Sequence, residues 1–302
     1  MTKSILMYVS PMTIILAVVA VLLIGAGGFI GFTINKRLDE DIFFQPRGEI
    51  IETPADYGMD YETFLLETKD GLKLNAWWVP GSSNDGIVMA PGYTDSMSII
   101  LKYGPFLNQA GYNLVFFDPR GQGESEGEFY AFGAFQNIDI EAGIRYLKEE
   151  RGMENVALFG HSNGASAALI AAAEHPYPEV FAVISDSAFA NLKLASQSPE
   201  YTDPFLEALF PMYTWVAEMR LGFNVFNMTN VLNVIDDVSH AIFIHGTADE
   251  GITYNNSELL YELAQEPKEL WLLEGVEHVQ SIDTEPEIYA EKVLNFLNTA
   301  KP

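Results

Sequence analysis

A serine between two nearby glycines is the first group in this sequence that could do chemistry. It is the centre of GHSNG, residues 160–164, with the apolar run NVALF before it and the helical pattern NGASAALIAAA after it. A G-x-S-x-G motif between a strand and a helix is typical of the nucleophile elbow, a turn so sharp that the residues two before and two after the serine must be small. Gly160 and Gly164 meet that condition. The pattern predicts Ser162 as a nucleophile, and the alternative is a glycine-containing turn with an unreactive serine.

A serine hydroxyl is a poor nucleophile unless a base activates it. The chain has five histidines, at positions 161, 175, 240, 245 and 278. His161 adjoins the serine, His175 follows the helical pattern, and His240 and His245 flank or end an apolar strand. His278 lies in a loop, EGVEH, directly after a strand. Because the order along the chain in elbow-type enzymes is serine, acid, histidine, elimination predicts His278 as the base.

The third member of such a triad is a carboxylate that orients the imidazole and stabilises its charged form. Asp249 follows the apolar strand AIFIHG by a few residues, which places it at the same edge of the sheet. Glu250 and Asp186 are competitors, although Asp186 comes too early if the acid follows the seventh strand. The other interpretation of Asp249 is a helix N-cap before residues 255–263.

An oxyanion formed at the nucleophile needs at least two preorganised N–H donors. One is expected from Asn163, the residue after the serine, and the other from the loop after the strand at residues 86–90. Tyr93 is the candidate in that loop, since Gly92 before it allows a close backbone approach. Both donors are main-chain groups, so their side chains are expected to matter less.

The elements around these residues alternate between apolar strands and helical patterns. Residues 61–68 and 72–79 flank the turn sequence KDG and predict a hairpin. Short strands without polar alternation, separated by helices, predict a mostly parallel sheet with helices on both faces, in which ligands bind beyond the carboxyl ends of the strands. About fifty residues, 190–239, interrupt this order and are rich in large apolar side chains. We interpret them as a helical lid, with an extra helical layer as the alternative.

The N-terminal region is apolar and uncharged from residue 4 to residue 35. As a helix, residues 11–34 are about 36 Å long, enough to cross a hydrocarbon core of about 30 Å. We predict an uncleaved single-pass anchor at residues 1–35, a linker at 36–56 and a catalytic domain at 57–302. A cleaved signal peptide is the alternative. Lys3 and the α-amino group carry the positive charges on one side of the anchor, and Lys36 and Arg37 carry those on the other, so the two sides are equal. The expectation of an extracytoplasmic domain anchored in the cell membrane therefore rests on the short N-terminal tail.

Composition excludes several functions. Lys and Arg total 16 against 42 Asp and Glu, for a net charge of −26, so nucleic acid is a poor partner. The absence of cysteine removes thiol nucleophiles and cysteine-bound metals. No metal or dinucleotide motif is present, and no cofactor is predicted.

Six segments together resemble the α/β-hydrolase superfamily, most closely bacterial membrane-anchored serine hydrolases related to the S9 and S33 peptidase folds. The resemblance covers roughly residues 55–300, and the segments are TPADYGMDYETFLLETKDGLKLNAWWVP, APGYTDS, FFDPRGQGES, ALFGHSNGASAAL, FIHGTADEGI and LLEGVEHVQS. The resemblance implies an α/β-hydrolase fold, a triad of Ser162, Asp249 and His278, and oxyanion donors at Tyr93 and Asn163. The sequence departs from the family pattern where Pro91 stands in place of histidine and Asn163 in place of methionine or glutamine.

The favoured hypothesis is a serine hydrolase that cleaves carboxylic esters or related acyl bonds of a small, apolar substrate. The same triad would also serve an aminopeptidase. Such an enzyme needs a carboxylate that captures the substrate amino terminus, and the sequence identifies no residue for that role. The third hypothesis is a non-catalytic, membrane-anchored interaction module.

Overall fold

The apolar runs of the sequence form one eight-stranded sheet in the computed structural model, which describes residues 11–43, 45–174, 180–197 and 204–302. The order across the sheet is β1-β2-β4-β3-β5-β6-β7-β8, with β2 antiparallel to β1 and β4 and the remaining neighbours parallel. The strands are β1 (Glu62–Glu67), β2 (Lys73–Val79), β3 (Asp85–Ala90), β4 (Asn113–Phe117), β5 (Asn155–His161), β6 (Val180–Asp186), β7 (Ala241–Gly246) and β8 (Lys268–Leu273).

Helices cover both faces of this sheet. They are α1 (Pro11–Leu38), α2 (Gly104–Gln109), α3 (Gln136–Arg145), α4 (Asn163–Glu174), α5 (Leu192–Ala195), α6 (Pro204–Leu221), α7 (Val225–Met228), α8 (Asn255–Leu263), α9 (Ser281–Thr284) and α10 (Pro286–Ala300). Successive residues of a strand enter opposite cores, because side chains alternate across a sheet. Val88 packs in the core that includes α3 and α4, and its neighbour Ile87 packs in the core that includes α10.

The helical patterns of residues 97–110 and 134–150 each predict one continuous helix, and both helices are more irregular in the structure. The helix expected at residues 97–110 is a 3-10 helix, Ile99–Tyr103, followed by the short α2. Gly104 and Pro105 begin α2, and proline favours the first turn of a new helix. The helix expected at 134–150 is α3 followed by a π-helical turn, Tyr146–Glu150.

The N-terminal helix continues into the predicted linker. Helix α1 ends at Leu38, and a π-helical turn, Asp39–Phe43, follows it. Ile34, Leu38 and Ile42 are fully buried, and they pack with side chains of α6 and of the loop before α3. Their four-residue spacing puts them on one helical stripe. Residues 36–43 are therefore part of a packed helix, whereas the mixed composition of residues 36–56, with Pro46 and Pro54, predicts a linker.

One helix in the described part of the chain, Val18–Phe43, is long and apolar enough to cross a membrane. A signal sequence near the N-terminus has the same length and composition, so the anchor remains a prediction. Residues 1–10 of it lie outside the described residues. The predicted lid contains α5, α6 and α7, and part of it, residues 198–203, is also outside the described residues.

Candidate active site

The turn around Ser162 has the geometry that a nucleophile elbow requires. Strand β5 ends at His161, helix α4 begins at Asn163, and Ser162 between them has φ = 53°, in the left-handed region. A Cβ atom on Gly160 would overlap the backbone of Gly164, and one on Gly164 would overlap the carbonyl oxygen of Ala90. The two glycines are therefore required by backbone contacts, and the strained turn presents the serine at the end of its strand.

The structure brings the three predicted triad residues together. Ser162 Oγ lies 2.9 Å from His278 Nε2, although the two residues are 116 positions apart. His278 Nδ1 lies 2.5 Å from Asp249 Oδ2. The three side chains follow β5, β7 and β8, whose carboxyl ends share one edge of the sheet. The Asp249 side chain is fully buried, and that of His278 is 34% exposed.

The competing residues are placed elsewhere. Asp186 is buried and accepts hydrogen bonds from Tyr103, Tyr289 and the Ser187 hydroxyl. Glu250 is exposed to solvent. Among the other histidines considered as a base, His175 lies outside the described residues.

Hydrogen bonds keep Asp249 ionised in spite of its burial. Burial acts to raise the pKa of this carboxyl group, but hydrogen bonds from His245, from His278 and from the Ile252 N–H outweigh it and lower the pKa from 3.8 to about 2. A charged carboxylate at this position stabilises a protonated imidazole.

Several known proteins with similar sequences and structures have names that state a hydrolase activity. A family model described as serine aminopeptidase, S33, matches residues 81–225, which include the elbow and end before Asp249. The esterase Pf2001 of Pyrococcus furiosus is 26% identical, superposes with a TM-score of 0.70, and the match covers 84% of this chain and 98% of that one. This chain has the α/β-hydrolase fold and is similar in sequence to proteins of that superfamily. The predicted fold class is thereby confirmed.

Two further relatives of this α/β-hydrolase come from distant organisms. Uncharacterized protein YqkD of Bacillus subtilis (strain 168) is 28% identical over 88% of this chain and 88% of its own length. Lysophosphatidylserine lipase ABHD12 of Danio rerio is 22% identical over 73% of this chain and 63% of its own length. The first match spans nearly the whole hydrolase, and the second spans the greater part of it.

A second histidine of the hydrolase contacts the carboxylate of Asp249. His245 Nε2 lies 3.1 Å from Asp249 Oδ2 and 2.7 Å from the Ile252 carbonyl oxygen. Because a carbonyl can only accept, Nε2 carries the proton, and the Ser257 hydroxyl, 2.7 Å from Nδ1, donates to the other nitrogen. The sequence places His245 at the end of a buried strand, which excluded it as the candidate base. Its one signal was a polar side chain in an otherwise apolar run, four residues before the predicted acid.

We predict that His245 acts on catalysis through the position and charge of Asp249. Replacing it with alanine removes one hydrogen bond from a buried carboxylate, which costs about 1.5–3 kcal/mol and corresponds to a loss in kcat of about ten- to a hundredfold. Steady-state kinetics with a nitrophenyl ester measure this loss. His240→Ala is the matched control, because His240 stands at the opposite end of β7 and bonds Ser239. A lower melting temperature with unchanged kcat would reduce His245 to a purely structural residue.

The loop expected to supply an oxyanion donor lies beside the elbow. The Gly92 N–H donates to His161 Nε2 at 3.0 Å, and a Cβ on Gly92 would come within 3.0 Å of the same ring. His161 thus holds this loop instead of serving as the base. Tyr93, the next residue, lines the same cavity as Ser162 and Asn163. Asn163 opens α4, and N–H groups in the first turn of a helix have no partner within the helix.

The Asn163 side chain links α4 to that loop. Its Nδ2 donates to Tyr130 Oη at 2.7 Å and to Gln136 Oε1 at 2.9 Å, and Gln136 Nε2 donates to the Pro91 carbonyl oxygen at 2.8 Å. From the sequence, only the main-chain N–H of Asn163 is expected to take part in binding the oxyanion. The structure gives the side chain a buried network that ties the two predicted donor segments together.

Ser162 opens into a cavity of about 720 Å³ with mostly apolar walls. Ser162, His278 and the two donor residues form one part of the lining, and the lid region forms a second with Leu192, Leu209, Phe210, Tyr213 and Phe226. Helix α1 and the turn after it form a third part with Ile34, Arg37 and Asp41. The cavity has the size and apolar character of a pocket for one small molecule.

Proposed function

We propose that this α/β-hydrolase is a membrane-tethered serine hydrolase that cleaves carboxylic esters of apolar acyl groups. The observation that supports the proposal is the continuous chain of hydrogen bonds from Ser162 through His278 to Asp249 beside an apolar cavity. A hydroxyl, an imidazole and an ionised carboxylate in this order are the parts of a nucleophile, a base and an orienting group.

In the proposed reaction, Ser162 Oγ attacks the ester carbonyl carbon while His278 Nε2 takes the hydroxyl proton. Asp249 stabilises the resulting imidazolium, and the N–H groups of Tyr93 and Asn163 donate to the oxyanion. His278 returns the proton to the leaving alcohol as the carbon–oxygen bond breaks, which leaves an acyl-enzyme on Ser162. Water, deprotonated by His278, then releases the carboxylic acid and restores the serine.

An ester is favoured over a peptide because of the charges in the cavity. An aminopeptidase has to bind the positively charged amino terminus of its substrate. Of the carboxylates that line this cavity, Asp41 already bonds Arg37 and Tyr213, and Glu207 is exposed. The apolar walls suit an acyl chain, and the esterase Pf2001 and the lipase ABHD12 are related proteins whose names state ester substrates. The name of the S33 family model supports the aminopeptidase as second candidate.

Labelling with a fluorophosphonate tests the proposal directly. The reagent phosphonylates serines that a base activates, so we expect the folded full-length chain to be labelled, with the adduct on Ser162 in tryptic peptides. Heat-denatured protein, in which Ser162 and His278 no longer meet, is the control and should remain unlabelled. Failure of the folded chain to react, or an adduct on another serine, would favour the non-catalytic module.

A pair of chromogenic substrates separates the two enzymatic candidates. The same acyl group is offered as a nitrophenyl ester and, with a free amino group, as an aminoacyl anilide. We expect kcat/KM to be at least about a hundredfold higher for the ester, because the cavity has no free buried carboxylate among its described lining residues. A preference for the anilide would establish the aminopeptidase.

A further inference from the structure

Helix α1 changes its surroundings near its C-terminal end. Phe29 is 64% exposed, in line with the apolar residues before it, and Ile30 is partly buried, whereas Ile34 is 1% exposed and Leu38 and Ile42 are fully buried. The buried residues pack against Met212 and other side chains of α6. The helix therefore passes from an unpacked apolar segment into the catalytic domain without a linker.

The length of the unpacked segment places the edge of a bilayer at this same level. From residue 11 to residue 29 a helix measures about 29 Å at about 1.5 Å per residue, which matches a hydrocarbon core of about 30 Å. Lys36 and Arg37 are the first charged side chains after it. The head-group region of the membrane then lies level with Ile34 and Arg37, both of which line the cavity.

Helix α6 presents a second apolar surface beside α1. Trp215 and Met219 are 60% and 66% exposed, and their four-residue spacing puts them on one face of the helix. Tryptophan is enriched where proteins meet the membrane interface. The helix is attached to the end of α1, because Tyr213 Oη lies 2.9 Å from Asp41 Oδ2 and Arg220 Nη2 lies 2.7 Å from Asp39 Oδ1.

These two helices also enclose the cavity. Ile34 lines it from α1, Leu209 and Phe210 line it from α6, and Ser162 lines it from the elbow. The Arg37–Asp41 ion pair, with Nε and Oδ2 3.1 Å apart, adds a polar group at the level of the head groups. A single apolar chain can lie between the helices while its polar end stays at that level.

We propose that the end of α1 is a wall of the acyl pocket and determines acyl-chain length, and that the substrate is a single-chain acyl ester drawn from the bilayer between α1 and α6. This inference rests on the proposed esterase function. The predicted anchor is then part of the substrate site as well as a tether, and Ile34 is a specificity-determining residue.

Substitutions at Ile34 test this in the full-length chain reconstituted in phosphatidylcholine vesicles. The measured quantity is the ratio of kcat/KM for the palmitoyl to that for the acetyl nitrophenyl ester. Ile34→Trp fills the pocket and is expected to lower the ratio about tenfold or more, and Ile34→Ala enlarges it and is expected to raise the ratio several-fold. Ile24→Trp and Ile24→Ala are matched controls on the exposed part of α1, and both should keep the wild-type ratio.

A structural defect alone would not move the ratio in opposite directions. Equal ratios for the Ile34 and Ile24 variants would overturn the inference and leave the esterase function intact. Absence of ester hydrolysis by the wild-type chain, by contrast, would overturn the proposed function and this inference with it.

Cross-linking gives a second measurement that needs no substitution. A long-chain alkyl fluorophosphonate with a diazirine at the end of the chain is attached to Ser162 and irradiated, and the cross-linked peptides are identified by mass spectrometry. We expect cross-links to residues 30–42 of the chain. Cross-links confined to the opposite wall, near Gly251 and Ile252, would overturn the inference.

Discussion

Replacing Ser162 with alanine is expected to lower kcat for ester hydrolysis by roughly five orders of magnitude, to the level left by binding and the oxyanion donors alone. The substitution removes the atom that forms the acyl-enzyme, and His278 cannot supply another nucleophile of comparable position. The left-handed φ of residue 162 disfavours alanine no more than serine, so the fold is expected to persist. Initial rates with a nitrophenyl ester, together with a melting curve, measure both effects.

Ser185→Ala is the matched control for this prediction. Ser185 lies on β6 and pairs with Gly160 of β5. Its buried hydroxyl has no hydrogen-bond partner among the described residues, so its removal leaves no group unsatisfied. We expect its kcat to remain within about twofold of wild type. If Ser162→Ala retained substantial activity, or if both variants lost it equally, Ser162 would not be the nucleophile.

Asp249→Asn is expected to lower kcat by about ten-thousandfold with little change in KM. In the wild-type chain the carboxylate accepts a hydrogen bond from the protonated Nδ1 of His278. Nε2 of the same ring is therefore free to take the proton of Ser162. An amide nitrogen at this position favours the other tautomer, with the proton on Nε2, where it faces the serine. Steady-state rates over a range of pH measure the loss. Glu250→Gln, a change of the neighbouring exposed carboxylate, should leave kcat unchanged.

The low pKa of Asp249 makes the stability of the wild type depend on pH in a way that the Asp249→Asn variant does not share. Its folded-state pKa of about 2 lies below the usual aspartate value of 3.8, so the ionised group stabilises the fold above pH 3.8, and this contribution is lost as the pH falls through about 2. We expect the melting-temperature difference between wild type and Asp249→Asn to narrow as the pH falls through that interval. A constant difference, or activity of Asp249→Asn close to wild type, would contradict the assigned role.

Because α1 packs on the catalytic domain, removing the N-terminal segment would change the cavity beside Ser162 as well as the predicted membrane anchor. The buried stripe of Ile34, Leu38 and Ile42 belongs to the same apolar cluster as α6 and the loop before α3. A protein shortened at residue 36, the predicted domain boundary, would lose Ile34 from the cavity wall and would expose the apolar surface that it covers. Studies of substrate preference therefore require the full chain.

Local features of the sequence were sufficient for the fold class and for the identity of the candidate triad. Strand runs such as residues 113–117 are buried on both faces and show as unbroken apolar stretches, and the elbow at residues 160–164 depends on backbone sterics within one turn. The order of Ser162, Asp249 and His278 follows from the order of the strands that carry them, which the alternation of strands and helices already implied.

Only the tertiary structure decided which distant side chains act on these residues. His245 reaches Asp249, Gln136 links Asn163 to Pro91, and Ile34 reaches the cavity of Ser162. None of these contacts leaves a periodic signal, because each joins segments whose separation in space depends on how the helices pack on the sheet. The end of α1 shows the difference most clearly, since the mixed composition of residues 36–56 indicated a linker, whereas Leu38 and Ile42 pack against α6 in the folded domain.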